Sequence, residues 1–278
     1  MRHSISFACL LVAGSLACGG DSGTTAPGST VPPPPPPPPA VQLQDLVVPN
    51  LPSPFYHFEY DSAGRIGHAS FASGFTSYEV VYADGRISAL LNNSVGNQDK
   101  LAYSYDQSGR AVEIDYTHPN GVTYVMVALS YDGARLARLD RRRLIGADFV
   151  LEKSMSFSYG PGGNLSEIMV HHPAIPGTQD ETTTFDRFSQ YDANVNVDSF
   201  SLIHDEFFDH LILLPGVQLQ KGNPAKEIFT GDGQNYTWDY SYVYDAKNRP
   251  IAKNGVLRYT NGPNAGKTFQ TQSVFTYY

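Results

Sequence analysis

The sequence predicts an all-β fold, a long antiparallel meander of hairpin repeats that forms a curved or partly closed sheet. Three observations predict it. A tyrosine-containing phrase recurs along the chain, the segments between its copies are rich in aromatic and β-branched residues, and clusters of Gly, Asn, Asp and Pro separate these segments. All three are confined to residues 41–278, which we treat as one domain because all-β domains of about 200–250 residues are common.

The recurring phrase reads aromatic or aliphatic residue, any residue, Tyr, Asp, turn residues, Gly, Arg and an apolar residue. Alternation places the first residue and the Tyr on one strand face, Asp accepts backbone hydrogen bonds in the turn, and Gly or Asn supplies a positive φ. Each phrase therefore predicts a β-hairpin. Six copies and a worn seventh are present: Phe58–Ile66, Val80–Ile87, Tyr103–Arg110, Leu129–Leu136, Phe157–Leu165, Tyr242–Ile251 and Gln190–Asn194.

The spacing of the phrases fits hairpins joined in series. The tyrosines of the first five copies, at positions 60, 82, 105, 131 and 159, are about 22 to 28 residues apart, which leaves room for two strands and two turns per repeat. Antiparallel strands of this composition bury one face and expose the other. The sheet is therefore expected to curl, close into a barrel or fold over.

One segment departs from the strand pattern. Asp205–Gly216 has acidic residues in a first turn, an apolar stripe and a final Pro-Gly, which are start and stop signals of a helix. We therefore expect one short helix near 205–214, across a face or an end of the sheet.

These phrases resemble the YD repeats of Rhs-type proteins. The segment Gln220–Ile228, with its Asn-Pro-Ala-Lys-Glu-Ile after the expected helix, resembles the uncharacterised YD-like lipoprotein domains of Gram-negative bacteria. The likeness covers 41–278 and implies the fold, but those domains have no assigned activity. Rhs proteins use many tens of repeats to enclose a toxin, so six or seven repeats do not imply that role.

The N-terminus is typical of an export signal. Arg2 and His3 precede a short apolar stretch and then small residues, so 1–17 is interpreted as a signal peptide. The sequence Leu-Ala-Cys-Gly ending at Gly19 resembles the lipobox of bacterial lipoproteins, which implies acylation of Cys18 and, without Asp after the cysteine, an outer-membrane anchor. Ser15 stands where the lipobox prefers leucine, so an ordinary signal peptide that leaves a soluble protein is the alternative.

Residues 18–40 predict a tether. They contain Gly, Ser, Thr, Ala and an unbroken proline run, Pro32–Pro39, with no apolar periodicity that could offset the entropy of ordering. Eight prolines in polyproline II geometry extend about 25 Å at roughly 3.1 Å per residue. We interpret the run as a semi-rigid spacer between membrane and domain.

Composition excludes several classes of partner. The formal charge of -8 leaves no broad cationic surface, so no nucleic-acid partner is expected. Both cysteines, Cys9 and Cys18, lie in the N-terminal segment, so the domain has no thiol for a disulfide, a thiolate metal site or a nucleophile. No Gly-x-Ser-x-Gly or complete phosphate-binding loop occurs, and we expect no catalytic residue and no cofactor.

Two groups of residues are candidates for a site. His204, Asp205, Glu206, Asp209 and His210 form the densest titratable cluster, and on a helix the four-residue spacings could hold a divalent metal. The alternative is a solvated first turn favoured by the helix dipole, and we assign no metal. The second group consists of alternating aromatic residues that either stack on sugar rings or form cross-strand core pairs: Tyr236, Trp238, Tyr240 and Tyr242.

The sequence therefore predicts an exported lipoprotein in the cell envelope, anchored to the outer membrane through Cys18, with a non-catalytic binding or structural β-domain. An envelope protein or a glycan is the partner this prediction allows. The alternatives are a polysaccharide-acting hydrolase with its carboxylates on turns, and a carrier of an apolar ligand in a half-barrel. Facing carboxylates in a pocket, one with a raised pKa, would favour the hydrolase.

Overall fold

The computed structural model describes residues 41–94, 96–197, 200–204, 210–231 and 233–278. The expected signal peptide 1–17, the expected anchor Cys18 and the tether 18–40 lie outside the described residues. So do three members of the titratable cluster, Asp205, Glu206 and Asp209.

Within the described residues the secondary structure consists of strands alone. The strands are β1 (Leu43–Val47), β2 (Tyr56–Tyr60), β3 (Ile66–Phe71), β4 (Thr76–Ala83), β5 (Arg86–Asn92), β6 (Lys100–Tyr105), β7 (Ala111–Thr117), β8 (Thr123–Asp132), β9 (Arg135–Ile145), β10 (Asp148–Tyr159), β11 (Leu165–His172), β12 (Thr182–Tyr191), β13 (Phe200–Ile203), β14 (Ile212–Pro215), β15 (Pro224–Gly231), β16 (Tyr236–Tyr244), β17 (Pro250–Tyr259) and β18 (Thr268–Tyr277).

Sixteen of the described strands close into one antiparallel barrel. Each strand pairs with the next one along the chain, except that β12 pairs with β15, while β13 and β14 form a separate hairpin. β1 lies between β2 and β18, and this pairing of first and last strands closes the barrel. The all-β meander is confirmed, and complete closure goes further than the curved or partly closed sheet expected from the sequence.

The tyrosine-containing phrases form hairpin turns at one end of the barrel. In the β2–β3 turn, Asp61 Oδ1 accepts the backbone N–H of Ala63 and of Arg65, each at 2.9 Å, and Asp61 Oδ2 accepts Arg65 Nε at 2.8 Å. Gly64 adopts a φ of +75° in this turn. Asp106 with Arg110, and Asp245 with Arg249, make the same kind of bonds. The hairpin interpretation is confirmed for the six phrases, each of which joins two paired strands. It is wrong for the worn copy Gln190–Asn194, because β12, which ends at Tyr191, pairs with β15 and not with the next strand along the chain. Kinship with YD repeats stays a prediction.

Tyrosine and arginine side chains fasten successive strands at this end. Tyr105 Oη donates to the Ile87 carbonyl at 2.7 Å, and the Arg86 guanidinium lies 5.5 Å from the centre of the Tyr105 ring. The same two contacts join Tyr82 to Ile66 and Arg65, Tyr131 to Ala111 and Arg110, Tyr159 to Leu136 and Arg135, and Tyr277 to Pro250 and Arg249. The Tyr and Arg of the phrase thus stabilise the barrel rim, at about 1 kcal/mol per hydrogen bond.

A plug fills one half of the barrel interior. We define the plug as residues 200–204 and 210–217, which include the β13–β14 hairpin. Leu211 and Leu213 have no exposed surface, and their backbone N–H groups donate to the hydroxyls of Tyr78 and Tyr103 at 3.4 and 3.2 Å. These contacts define the inner face of β4 and β6. Residues directly opposite each other on neighbouring strands point to the same side of the sheet, so the strand registers extend this inner face around the whole barrel.

The helix expected near 205–214 is wrong for the part that the structure describes. Ile212–Pro215 is strand β14, paired with β13, and residues 205–209 lie outside the described residues. Ile212, Leu213 and Leu214 are all buried, because the plug meets barrel walls on more than one side. When every residue of a short segment is apolar, the segment shows neither the two-residue period of a strand nor the 3.6-residue period of a helix, so the sequence does not distinguish the two.

The outer face of the barrel carries charged side chains. Ion pairs lie there, among them the cross-strand pair of Arg187 with Glu167 at 2.7 Å and the pair of Arg138 with Asp140 at 2.8 Å within β9. Asp239 pairs with Lys226 and Arg258. The outer face thus carries paired charges, while the plugged half of the interior is mainly apolar and also buries charged side chains, among them Arg141 and Lys153. Within the described residues, no helix has the length and hydropathy needed to cross a bilayer.

Candidate functional site

The candidate site lies on the inner face of β12, β15, β16 and β17, in the half of the barrel opposite the plugged walls. Register brings its residues together: Glu227 faces Trp238 across β15 and β16, and Trp238 faces Leu257 across β16 and β17. In the neighbouring row Asp186 faces Phe229, and Phe229 faces Tyr236. We call the inward-facing Asp186, Glu227, Trp238, Tyr240 and Lys253 the lumen site.

Two of the four aromatic residues predicted from the sequence, Trp238 and Tyr240, belong to this site, and Tyr236 lies next to them on β16. Trp238 and Tyr240 stack with ring centres 5.6 Å apart, and Phe229 and Tyr236 stack at 4.6 Å. Tyr242, the fourth predicted residue, donates its hydroxyl to the Pro224 carbonyl at 2.9 Å, so it supports the rim. None of these side chains is fully buried. Because the rings keep accessible surface inside the barrel, they differ from the sealed core pairs of the plugged half.

A pair of carboxyl groups lies beside the rings. Burial, together with the charge of Glu227 and a hydrogen bond to it, raises the pKa of Asp186 to about 8. Asp186 is therefore predominantly protonated at neutral pH. Tyr240 Oη donates a hydrogen bond to Glu227 Oε2 at 2.7 Å, which fixes the Glu227 side chain beside the rings. Asp186 Oδ1 is buried and meets no hydrogen-bond donor within the described part of the chain.

A lysine and a glycine complete the geometry. Lys253 Nζ lies 3.7 Å from the centre of the Tyr240 ring, and burial lowers the pKa of Lys253 while the charge of Glu227 opposes that change. Gly255, two residues after Lys253 on β17, lies opposite Tyr240 of β16. A Cβ at this position would stand 3.0 Å from the Trp238 ring and 2.9 Å from Thr271 Oγ1. Glycine at 255 therefore lets the indole lie against the barrel wall.

The lumen site has the chemistry of a binding surface for a neutral polyhydroxylated molecule. A protonated Asp186, the Glu227 carboxylate and Lys253 offer hydrogen-bond donors and acceptors with little net charge, and flat rings lie next to them. The raised pKa of Asp186 beside the charge of Glu227 is the feature that would favour a hydrolase, so hydrolysis stays an alternative to binding at this site.

The two described histidines of the predicted titratable cluster anchor the plug. His204 Nδ1 lies 3.0 Å from Tyr56 Oη, and the His204 ring lies 4.4 Å from that of Phe71. His210 Nδ1 lies 2.9 Å from Tyr78 Oη, and its Nε2 lies 2.9 Å from Tyr124 Oη. Each histidine thus meets a different part of the wall. Among described residues no group of three or more His, Cys, Asp or Glu is arranged to hold a metal ion.

Sequence reasoning missed the polar members of the lumen site. Asp186, Glu227 and Lys253 each alternate with outward-facing residues on their strands, as Lys226 does beside Glu227. Both faces of these strands carry charge, so the period-two pattern gives no sign of which charge points inward. Only knowledge of which strands pair, and in which register, would have found them.

The fold and the site define a class: a closed antiparallel β-barrel with an internal plug and an accessible aromatic patch on the opposite inner wall. No family model matches the chain, and no curated protein sequence matches it. Crystal structures that share the fold include two porin-like proteins. One is a porin-like protein from Bacteroides uniformis ATCC 8492, 14% identical with a TM-score of 0.57, which covers 80% of this chain and 89% of its own.

The second is a porin-like protein from Bacteroides vulgatus ATCC 8482. It is 15% identical with a TM-score of 0.54, and the match covers 86% of this chain and 99% of the other. At such identities the similarity extends to the fold alone.

Proposed function

We propose that this chain is an exported lipoprotein of the cell envelope, tethered through Cys18, whose barrel binds a glycan at the lumen site without catalysis. The observation that carries the proposal is the patch of accessible rings, Trp238 and Tyr240 above all, beside the hydrogen-bonding groups of Glu227 and Asp186. Sugars have apolar ring faces and hydroxyl edges, so this combination matches both of their surfaces.

The outer face of the barrel supports a tethered position over an inserted one. A membrane-spanning barrel presents an outward apolar band about 25 Å tall, and an outward Arg or Lys at mid-membrane costs roughly 2–4 kcal/mol. Here Arg187 lies within β12 and points outward, paired with Glu167. This outward charge supports a barrel that is not inserted in the bilayer, and we propose that Cys18 attaches it to the membrane. The porin-like structures that share the fold suggest an envelope location, and we propose that location without a pore.

The tether has its own test. Cys18→Ser should move the protein from the membrane fraction to the soluble fraction and remove a diacyl or triacyl mass increment. Alkaline washing of membranes would leave an inserted barrel in place in the variant. Membrane retention of the Cys18→Ser protein would therefore contradict the tethered arrangement.

Glycan binding is tested by calorimetry with soluble oligosaccharides: cellopentaose, chitopentaose, xylopentaose and maltopentaose. Trp238→Ala should weaken the binding of the preferred sugar at least tenfold, about 1.4 kcal/mol. The matched control is Phe185→Ala, an aromatic residue on the outer face of β12 next to Asp186, and it should leave the affinity unchanged. No binding of any of these sugars, or equal loss in both variants, would contradict the proposal.

The same samples distinguish binding from hydrolysis. A binding protein leaves each oligosaccharide intact on prolonged incubation. Release of new reducing ends that disappears in Glu227→Gln would replace the binding proposal by a glycosidase.

A further inference from the structure

A cavity lies at the barrel rim, away from the lumen site. It has a volume of about 290 Å³ and is bounded by the rim ends of β4–β8 and by the plug residues after Leu213. Its floor and walls are mainly apolar, and its lining residues include Ile87, Tyr103, Ala111, Leu213 and Val217. At about 30 Å³ for a group the size of a water molecule, the volume holds about ten such groups. Small-molecule pockets typically start near 300 Å³.

Arg86 gives this cavity a positive charge at its mouth. In the full phrases the arginine is held by the aspartate four residues before it, as Arg110 is held by Asp106 at 2.7 Å. The shortened phrase places Tyr82 four residues before Arg86. No described side chain accepts a hydrogen bond from the Arg86 guanidinium, which lies close to Gly109 and over the Tyr105 ring. Its donors are therefore available to a ligand.

Tyr103 supplies a polar atom inside the cavity. Its hydroxyl accepts the backbone N–H of Leu213 at 3.2 Å, and among the described residues none accepts the hydroxyl's own proton. The ring is 9% exposed and lies where the plug meets the wall. A ligand that reaches this depth would meet apolar surface with a single hydroxyl, while its outer end would meet Arg86.

We propose that the rim cavity binds a single-chain monoanionic amphiphile, a medium-length fatty acid, with the carboxylate on Arg86 and the hydrocarbon chain against Ile87, Ala111 and Leu213. A guanidinium holds a carboxylate through two parallel hydrogen bonds, and apolar walls exclude water from the chain. The volume admits one short chain, which excludes a diacyl phospholipid. This inference concerns a site separate from the lumen site and does not depend on glycan binding.

The test uses the full-length chain with Cys18→Ser, so that no attached acyl chain competes for the cavity. Calorimetry with decanoate should give saturable binding with one molecule per chain, and 1-decanol should bind at least tenfold more weakly. Arg86→Gln should reduce the decanoate affinity to that of decanol. Arg135→Gln is the matched control, because Arg135 also belongs to a shortened phrase and stacks on Tyr159 at 5.4 Å but does not line the cavity.

A second variant tests the location without touching the charge. Ala134 lies exposed on the turn at the mouth of the cavity, so Ala134→Trp should block entry and abolish decanoate binding while the fold is retained. Loss of binding in both Arg86→Gln and Ala134→Trp, with Arg135→Gln unaffected, supports the site. Absence of decanoate binding at millimolar concentration, or binding that survives both substitutions, would overturn it.

Discussion

The carboxyl pair of the lumen site gives the barrel a pH-dependent stability that one substitution should remove. Burial and Glu227 raise the pKa of Asp186 from 3.8 to about 8. Between these pH values the folded chain holds a proton that the unfolded chain has lost. The contribution of Asp186 to stability is therefore complete below about pH 4 and is lost progressively as the pH rises to about 8.

Asp186→Asn replaces the protonated carboxyl by a neutral group of similar shape that can still donate to Glu227. The interval from 3.8 to about 8 corresponds to roughly 5–6 kcal/mol, at about 1.4 kcal/mol for each pH unit. Because Asp186 keeps some contact with solvent, we expect about half of that value. The stability of the variant relative to the parent should thus rise by roughly 2–3 kcal/mol between pH 4.5 and pH 8.5.

Urea unfolding followed by circular dichroism at the two pH values measures this change. Asp239→Asn is the control, because Asp239 lies on β16 but on the outer face, where it pairs with Lys226 and Arg258. Its effect should be the same at both pH values. A relative stability of Asp186→Asn that stays constant with pH, or that falls as the pH rises, would refute the assignment of a shared proton to the pair.

Three further predictions concern the turns, the plug and the lumen wall. Asp106→Ala should lower the free energy of unfolding by about 1–2 kcal/mol in thermal denaturation, because it removes turn hydrogen bonds of 2.8–2.9 Å. Asp132→Ala loses no side-chain hydrogen bond to described residues, so it should lower that free energy by less than about 0.5 kcal/mol. Leu213→Ala should cost roughly 2–5 kcal/mol in urea unfolding, since the side chain has no exposed surface; a cost below about 1 kcal/mol would contradict the plug. Gly255→Ala should weaken oligosaccharide binding at least tenfold by calorimetry, because its Cβ would stand 3.0 Å from the Trp238 ring, and unchanged affinity would argue against that ring as the contact surface.

The hairpin turns could be predicted because their determinants are local. Asp61 and Arg65 lie four residues apart, and their bonds depend on no other part of the chain. Closure was beyond the sequence pattern, because it depends on β1 meeting β18, with Asp45 opposite Thr276. The alternation of apolar and polar residues along each strand predicts a sheet with one sheltered face. It does not determine how many strands the sheet needs to close into a barrel.

The plug was misjudged for a physical reason. The apolar run Leu211–Leu214 satisfies a helical stripe as well as a strand buried on both sides, and the acidic residues before it favoured the helix. For the lumen site, the aromatic row from Tyr236 to Tyr242 was visible as an alternation on one strand. Its partners Asp186 and Glu227 belong to other strands, and pairing of β12 with β15 skips the plug. No local pattern predicts that neighbour.

The most direct test of the lumen site uses the single tryptophan of the chain as the reporter. Trp238 lies on the inner wall with part of its ring accessible, so acrylamide should quench its fluorescence in the free protein. Saturation with the preferred oligosaccharide should lower the quenching constant severalfold, because the sugar covers the ring. A quenching constant that does not change while calorimetry shows bound sugar would place the ligand elsewhere and contradict the lumen site.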